Sequence, residues 1–495
     1  MHILSLENIP AHWCLVKLTD ISSLEKNAIK RGPFGSTIKK SMFVESGYKV
    51  YEQKNAIYDD CSLGNYYITA EKFEELIDFA VKPGDFIVSC AGTIGKIAIV
   101  SGDSTPGIIN QALLKISLNS QAVNKQYFLE LFRSRFFQDS ISGNVQGSAM
   151  KNMASVKVLK KADIPLPPLN EQRRIVAKIE ELNDRISTAK TALEAAREAV
   201  GQFRQSVLAA AFRGDLTADW RAAHPDVEPA AVLLERIRVE LKEVKKKKVK
   251  NTLDDPHELP ESWVWQELND ICFVITDGDH QAPPKTDSGI PFIVISNINT
   301  GKIDFSNTRF VPISYYEKLQ EHRKPKIGDI IYSVVGTYGV PVLVDTNREF
   351  CFQRHIALLR ISNNIDRQYF VSALKSKTVF DQATYVATGT TQLTVTLTGL
   401  RKIKVPLSPL EEQKEIVKRI EAAFEQADKI EAEINTSLEQ LKTLDQAILA
   451  KAFRGELVPQ DPNDEPASEL LKRIAAARVA AQPQQKQTKR RRQQS

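Results

Sequence analysis

Several short patterns in this 495-residue sequence carry residue types that could do chemistry. Pro225-Asp226, Glu240 and Lys242 mimic the P-D…E-x-K arrangement of a metal-dependent nuclease, where paired carboxylates hold a divalent cation. That chemistry is built on strands. Here the residues fall in a predicted linker and surface helix, and the second half of the chain has no counterpart, so they read as solvated charges. Gly92-Thr93-Ile94-Gly95-Lys96 hints at a phosphate loop, but it lacks G-x-x-x-x-G-K-[ST], and a second version of the segment has Val340 where Lys96 stands. A turn between two strands fits better; such a turn could face DNA, with Thr93, Lys96, Thr337 and Tyr338 exposed. His280 and His355 could serve as ligands or bases. With seven histidines in the chain and no H-E-x-x-H, polar loop roles fit them better. No glycine-rich cofactor loop follows a strand, and no N-P-P-[YF] methyltransferase motif occurs.

Two basic runs complete the inventory: Lys242 with 245–248 and Lys250, and Lys486 with 489–492. They suit DNA phosphates or solvent equally well. The 67 basic and 61 acidic side chains leave a net charge of +6, compatible with a polyanionic partner but not diagnostic of one. Five scattered cysteines without C-x-x-C (Cys14, Cys61, Cys90, Cys272, Cys351) argue against a disulfide framework or a four-cysteine zinc site. No apolar run of about 18 residues is present, so no membrane-spanning helix is expected. The first residues do not resemble a signal peptide, and a cytoplasmic location follows as the expectation.

The elements that must position these residues occur twice. Ile164-Pro165-Leu166-Pro167-Pro168-Leu169-Asn170-Glu171-Gln172 returns as Val405-Pro406-Leu407-Ser408-Pro409-Leu410-Glu411-Glu412-Gln413, an offset of 241 (405 − 164). Ala211-Phe212-Arg213-Gly214-Asp215-Leu216 returns at the same offset as Ala452-Phe453-Arg454-Gly455-Glu456-Leu457. Ile9-Pro10 with Trp13 parallels Leu259-Pro260 with Trp263, Gly92-Thr93-Ile94-Gly95 parallels Gly336-Thr337-Tyr338-Gly339, and Glu228-Pro229 parallels Glu465-Pro466. A period near 240 is too long for a solenoid and indicates a duplicated unit of globular domain plus long helix.

The helices have a heptad seam: Ile175, Ile179, Leu182, Ile186, Leu193, Val200, Phe203 and Val207 in the first, and Ile416, Ile420, Ile430, Ile434, Leu441, Leu444 and Ile448 in the second. Gly214 and Gly455 suit C-terminal stops. Ser408 and Glu411 predict a capping box around Pro409. A helix over 169–212 would be roughly 65 Å long. Its stripe needs a partner, and chain continuity favours antiparallel pairing of the two helices, with a domain at each end, over a seam between chains. The expected fold is mixed α/β (α+β) with an internal pseudo-twofold repeat. It divides as globular domains 1–165 and 258–406, long helices 166–214 and 407–455, a lysine-bearing linker 215–257 and a C-terminal helix with basic tail 456–495. Segments near Tyr127–Phe137 and Tyr369–Phe380 read as helices. The copies differ in their loops: Lys30 to Ser36 in one, Thr276 to Pro283 in the other.

This combination of paired P-L-x-P-L-x-E-Q and A-F-R-G-[DE]-L motifs with two divergent domains resembles the specificity subunit of type I restriction-modification systems, from Pro10 to about Leu471. Gly32-Pro33-Phe34-Gly35-Ser36 and Asp277-Gly278-Asp279-His280 resemble two different recognition-domain subfamilies. The resemblance implies a non-catalytic subunit whose domains each read half of an asymmetric, split DNA target. The helices would set the spacing and dock two modification subunits, with two restriction subunits completing the complex. S-adenosylmethionine, ATP and Mg²⁺ would then belong to the partners, with no cofactor or metal in this chain. Candidate double-stranded-DNA contacts, chosen for polar or cationic character in loops, are Arg31, Ser36, Lys39, Lys54, Asn55, Thr93, Lys96 and Lys151, and in the second copy His280, Lys285, Asn297, Thr337, Tyr338, Arg354 and Thr390. The competing readings are an independent nuclease using Glu240 and a coiled-coil scaffold without sequence preference.

Overall fold

The computed structural model describes residues 9–34, 37–142, 156–244, 246–247, 249–279 and 283–481. The chain forms two compact units, Met1–Ala192 with Ser437–Ser495, and Leu193–Thr436. This division cuts both long helices, Leu169–Arg213 and Leu410–Ala452, so each unit holds one globular domain and a segment of each helix.

In the first unit, strands Ile29–Arg31, Leu113–Ile116, Phe86–Ser89 and Ile97–Ile99 form an antiparallel sheet in that spatial order. In the second, Cys272–Asp277, Ile356–Ile361, Ile330–Ser333 and Pro341–Leu343 repeat it. The central strands are buried throughout, apart from the half-buried Arg360, because helices and a further sheet cover both faces. That further sheet contains one parallel pair in each copy, Tyr48–Tyr51 with Gly107–Ile109 and Ile290–Ile293 with Cys351–Phe352. The helices expected near Tyr127 and Tyr369 each divide in two at a buried serine, Ser134 and Ser376. Each serine hydroxyl donates to a carbonyl of the preceding helix and accepts from an amide of the next, which ends one helix and starts another.

The P-L-x-P-L-x-E-Q motif is a clamp between domain and helix. Its first residues form a strand that pairs with the strand after the first tryptophan, Asp163–Leu166 with Cys14–Lys17 and Lys404–Leu407 with Val264–Glu267. The tyrosine hydroxyls of Tyr127 and Tyr369 donate to the Pro165 and Pro406 carbonyls at 2.7 and 2.9 Å. Gln172 and Gln413 are wholly buried and accept from the amides of Asn124 and Asp366, the N-caps of the next helices. Glu171 and Glu412 are also buried, and each accepts from a tryptophan indole, Trp13 at 3.0 Å and Trp263 at 2.8 Å. The expected capping box is not made: Glu411 turns to Lys414 at 2.7 Å instead of reaching back past Ser408.

The A-F-R-G motif serves the domain of the other repeat. Phe212 meets Tyr369 edge-on at 5.4 Å between ring centroids, and Phe453 meets Tyr127 at 5.5 Å. Gly214 and Gly455 end their helices at φ 87° and 77°. A Cβ on Gly214 would stand 2.5 Å from Pro260, and one on Gly455 would stand 2.3 Å from Pro10, so glycine is required twice over. Following these turns, Ala230–Glu240 buries Leu233, Leu234 and Ile237 in the second domain's core, and Ala467–Ala481 packs Leu470 and Ile474 into the first.

Within each unit the long-helix segments run antiparallel. Val207 and Phe212 share a core with Ile416 and Ile420, while Arg204 pairs with Glu431 at 2.9 Å. Ile175 and Ile179 share the other core with Ile448 and Leu449. Val200 and Ile434 are buried as well. Leu182, Ile186, Leu193 and Leu441 are half-buried. Phe203, Ile430 and Leu444 depart from the expected seam: they are 47%, 49% and 42% exposed. A two-helix contact is too narrow to enclose large side chains away from the globular domains.

Candidate nucleic-acid interface

Each domain presents a G-T-x-G turn between two core strands. Gly92, Gly95, Gly336 and Gly339 all adopt positive φ, between 59° and 89°, which an L side chain resists. The turn is braced identically in the two copies. Ser89 Oγ accepts from the Lys96 amide and Ser333 Oγ from the Val340 amide, both at 2.9 Å. The phosphate-loop alternative is thereby set aside: these are hairpin connections whose Gly95, Lys96, Gly339 and Val340 amides bond back to Ser89 and Ser333, with Thr93, Lys96 and Thr337 exposed.

The divergent loops start from one scaffold position. A Cβ on Gly32 would lie 1.9 Å from the Asn110 carbonyl oxygen, and a Cβ on Gly278 would lie 2.0 Å from that of Phe352. Backbone passes backbone too closely at both points for any side chain. From this shared point the first copy continues as Pro33-Phe34 and the second as Asp279, whose carboxylate accepts from the Tyr315 hydroxyl at 2.9 Å. Burial, then the Asp279 bond and charge, push that phenol above its ordinary range.

A third segment joins the edge in the second copy. The hairpin Ala387–Thr388 with Thr394–Val395 bonds to the turn through Gly336 N to Leu393 O at 3.1 Å and Val395 N to Val334 O at 2.8 Å. Val334 N also donates to His355 O at 2.9 Å. Thr337, Tyr338, Arg354 and Thr390 are thus brought onto one composite edge. Tyr338 stacks on Phe380 at 5.5 Å and its hydroxyl donates to Thr384 Oγ1 at 3.0 Å, which fixes its ring. Thr337, Arg354 and Thr390 are exposed.

Other expected contacts are distributed differently. Arg31 lies on an edge strand over the Phe34 ring at 5.2 Å, Lys54 pairs with Glu52 at 2.9 Å, and Lys39 and Lys285 are exposed in loops. Asn55 and Asn297 are corrections. Both are buried, and both close the same turn by accepting from a backbone amide three residues back, Glu52 N at 2.8 Å and Val294 N at 3.0 Å. Their polarity satisfies buried backbone rather than a ligand. Ser36, Lys151 and His280 lie outside the described residues. Glu240 is also not a free charge: it accepts from Asn364 Nδ2 at 3.0 Å and the Asn363 amide at 3.2 Å. Burial pushes its carboxyl up, but the bonds from Ser362, Asn363 and Asn364 outweigh this and hold it below the usual range. That role is a tether of its helix to the domain.

Sequence reasoning passed over several groups at these edges. Gln53 donates to the Thr93 carbonyl at 3.1 Å, so it supports the first turn. Gln353 bonds side chain to side chain at 2.5 Å with His355, whose expected polar role was noted from sequence, next to Arg354. Burial, then the Arg354 charge, lower the His355 imidazole, favouring its neutral form. No local pattern marks Gln53 or Gln353; the fold brings them to the edge. Among the described residues no group of three or more His, Cys, Asp or Glu is arranged to hold a metal. Buried thiols are pushed up, Cys90 to about 11 and Cys272 to about 12, so they are poor nucleophiles at neutral pH.

Comparison with known proteins accords with this arrangement. The family model described as type I restriction modification DNA specificity domain matches residues 10–196 and 260–440. The specificity subunit of the type I restriction enzyme EcoBI from Escherichia coli is 31% identical over 423 residues, covering 81% of each chain. The EcoDI specificity subunit from Escherichia coli is 26% identical over 428 residues, covering 79% of this chain and 89% of that one. The crystal structure of the HsdS subunit from Thermoanaerobacter tengcongensis superposes with a TM-score of 0.54 at 21% identity, over 90% of this chain and 98% of that one, which supports the fold. Two family matches, in register with the two G-T-x-G edges and the two clamps, place this chain in the family of type I restriction-modification specificity subunits, with two DNA specificity domains.

Proposed function

We propose that each DNA specificity domain reads one half of an asymmetric, bipartite target through its composite edge. The chain is a DNA-recognition subunit and not itself the enzyme. The observation that carries the finer reading is the shared point at Gly32 and Gly278: the same backbone crossing launches chemically different loops beside the same G-T-x-G turn. One scaffold bearing two sets of side chains implies two different half-sites. Cations such as Lys39, Lys96, Lys285 and Arg354 would meet phosphates and supply salt-dependent affinity; Thr93, Thr337 and Thr390 would approach base edges.

The long helices are assigned the spacing between half-sites and the docking of two modification subunits, with two restriction subunits in the full complex. Methyl transfer from S-adenosylmethionine, and translocation driven by ATP with Mg²⁺, belong in this reading to those partners. A cytoplasmic setting suits a DNA-binding subunit. Among the described residues no helix is long and apolar enough to cross a membrane.

Replacing residues 1–165 with another recognition domain, in complex with the modification subunits, should change one half of the methylated motif. The readout is methylome sequencing of cells carrying each version. A change in both halves would refute independent reading, and an unchanged motif would refute a reading role for this domain.

A further inference from the structure

The second unit contains a cationic cavity of about 640 Å³ that shares no lining residue with the composite edge. Three separate elements supply its charge: Lys246 and Lys247 from the linker, Arg323 from the turn Glu321–Arg323, and Arg401 from the helix Leu397–Lys402. His322 adds a polar ring, and Asp277 is the one carboxylate among the lining residues. Four permanent cations stand around this one lining carboxylate, and outside the lining Asp270 approaches Lys246 at 4.0 Å, so positive charge stays in excess in a half-open cleft.

The two arginines make the imbalance pointed. Arg401 is 8% exposed and donates to the carbonyls of Leu397 at 3.0 Å and Ile275 at 2.7 Å, with no ion pair to a carboxylate among the described residues. The Arg323 Nε is buried with no hydrogen-bond partner. A buried donor left unmet is destabilising, and a buried charge without a counter-ion is more so. Burial lowers both the Arg401 guanidinium and the Lys246 ammonium from their ordinary values, with Asp277 and Asp270 respectively opposing the shift. Lys246 also anchors itself through the Asp270 carbonyl, which holds the linker at the cavity mouth.

We propose that this cavity binds a phosphate group. A carboxylate offers two oxygens in one plane; cations arriving from a linker, a turn and a helix match a tetrahedral anion with acceptors in several directions. The phosphate could belong to the backbone of duplex DNA or to a free polyphosphate such as a nucleotide tail. Neither source requires base reading, so the proposal stands apart from the assignment of the composite edge.

The test uses the full chain, the double variant Lys247→Gln/Arg323→Gln, and Lys377→Gln as a control for loss of an exposed charge. Matched circular dichroism first establishes that the variants fold. If the source is DNA backbone, the double variant should lower the slope of log affinity against log salt for a random-sequence duplex by about 0.9 per phosphate lost, and the control should not. If the source is a free polyphosphate, inorganic pyrophosphate should raise the melting temperature of the wild type and the control but not of the double variant, with the duplex slope unchanged. Equal salt slopes together with no pyrophosphate response in the wild type would overturn the proposal, as would a pyrophosphate response that survives in the double variant.

Discussion

Two buried glutamates at corresponding positions have unequal surroundings. Glu412 receives three donors: Trp263, Thr217 at 2.7 Å and Arg221 at 2.6 Å. Glu171 receives Trp13 and His12, and its Oε1 is buried without a partner. The positions corresponding to Thr217 and Arg221 at the offset of 241 are Val458 and Pro462, which donate nothing from their side chains. Glu412→Gln would turn an amide donor toward other donors and strand Arg221, so a loss of about 3 kcal/mol is expected. Glu171→Gln can place its NH₂ at the unpartnered position and should cost only about 1 kcal/mol. Denaturant unfolding of the two variants checks the ranking; equal losses would contradict it. Glu240 adds a pH signature. A carboxyl held below its ordinary value of 4.5 stabilises the fold above that pH and gives the contribution up as acid protonates it. The melting-temperature gap between wild type and Glu240→Gln should therefore narrow as pH falls from 7 to 4. The motif residues were legible because duplication displayed them twice, but their work was not. Asn55 and Asn297 looked like ligand contacts because sequence records polarity and not what satisfies it.

At the level of elements, a one-methyl change separates reading from folding. Gly278→Ala forces the loop away from Phe352, while the sheet behind it is unaffected in sequence. Expected is a loss or change of the second half-site in the methylated motif, with the first half intact. The spacing assignment makes its own demand: one heptad inserted into each long helix should lengthen the tolerated gap between half-sites, and an unchanged gap would end the ruler idea. The strands around each G-T-x-G turn could be read from short continuous apolar runs and glycine spacing, as could the helix stops at Gly214 and Gly455. The seam was over-read at Phe203, Ile430 and Leu444. Heptad periodicity reports that an apolar stripe exists, and it is silent on how much of that stripe one partner helix can cover. The split of the Tyr127 and Tyr369 helices was hidden because apolar residues continue on both sides of Ser134 and Ser376, so the hydrophobic pattern alone does not mark the break.

For the molecule as a whole, the compact units do not follow the order of the repeats. The first domain holds the end of the second long helix and the C-terminal helix, with Arg478 donating to the carbonyls of Asp20 at 2.9 Å and Ser22 at 3.0 Å. Removing 456–495 should weaken the first domain and spare the second, which hydrogen exchange resolved by segment would show; uniform loss of protection would count against it. The repeat located the domains but could not reveal this exchange of ends, since it depends on which copy's glycine meets which copy's proline. The exchange also sets a timetable at the ribosome. Unit two is encoded entirely between the two stretches that make unit one. At ~5–20 residues per second, the first domain waits on the order of 10–50 s for its closing segment while residues 193–436 are made. The domain translated first is thus finished last, and its apolar docking surfaces for Phe453, Leu470 and Ile474 stay uncovered in the interval.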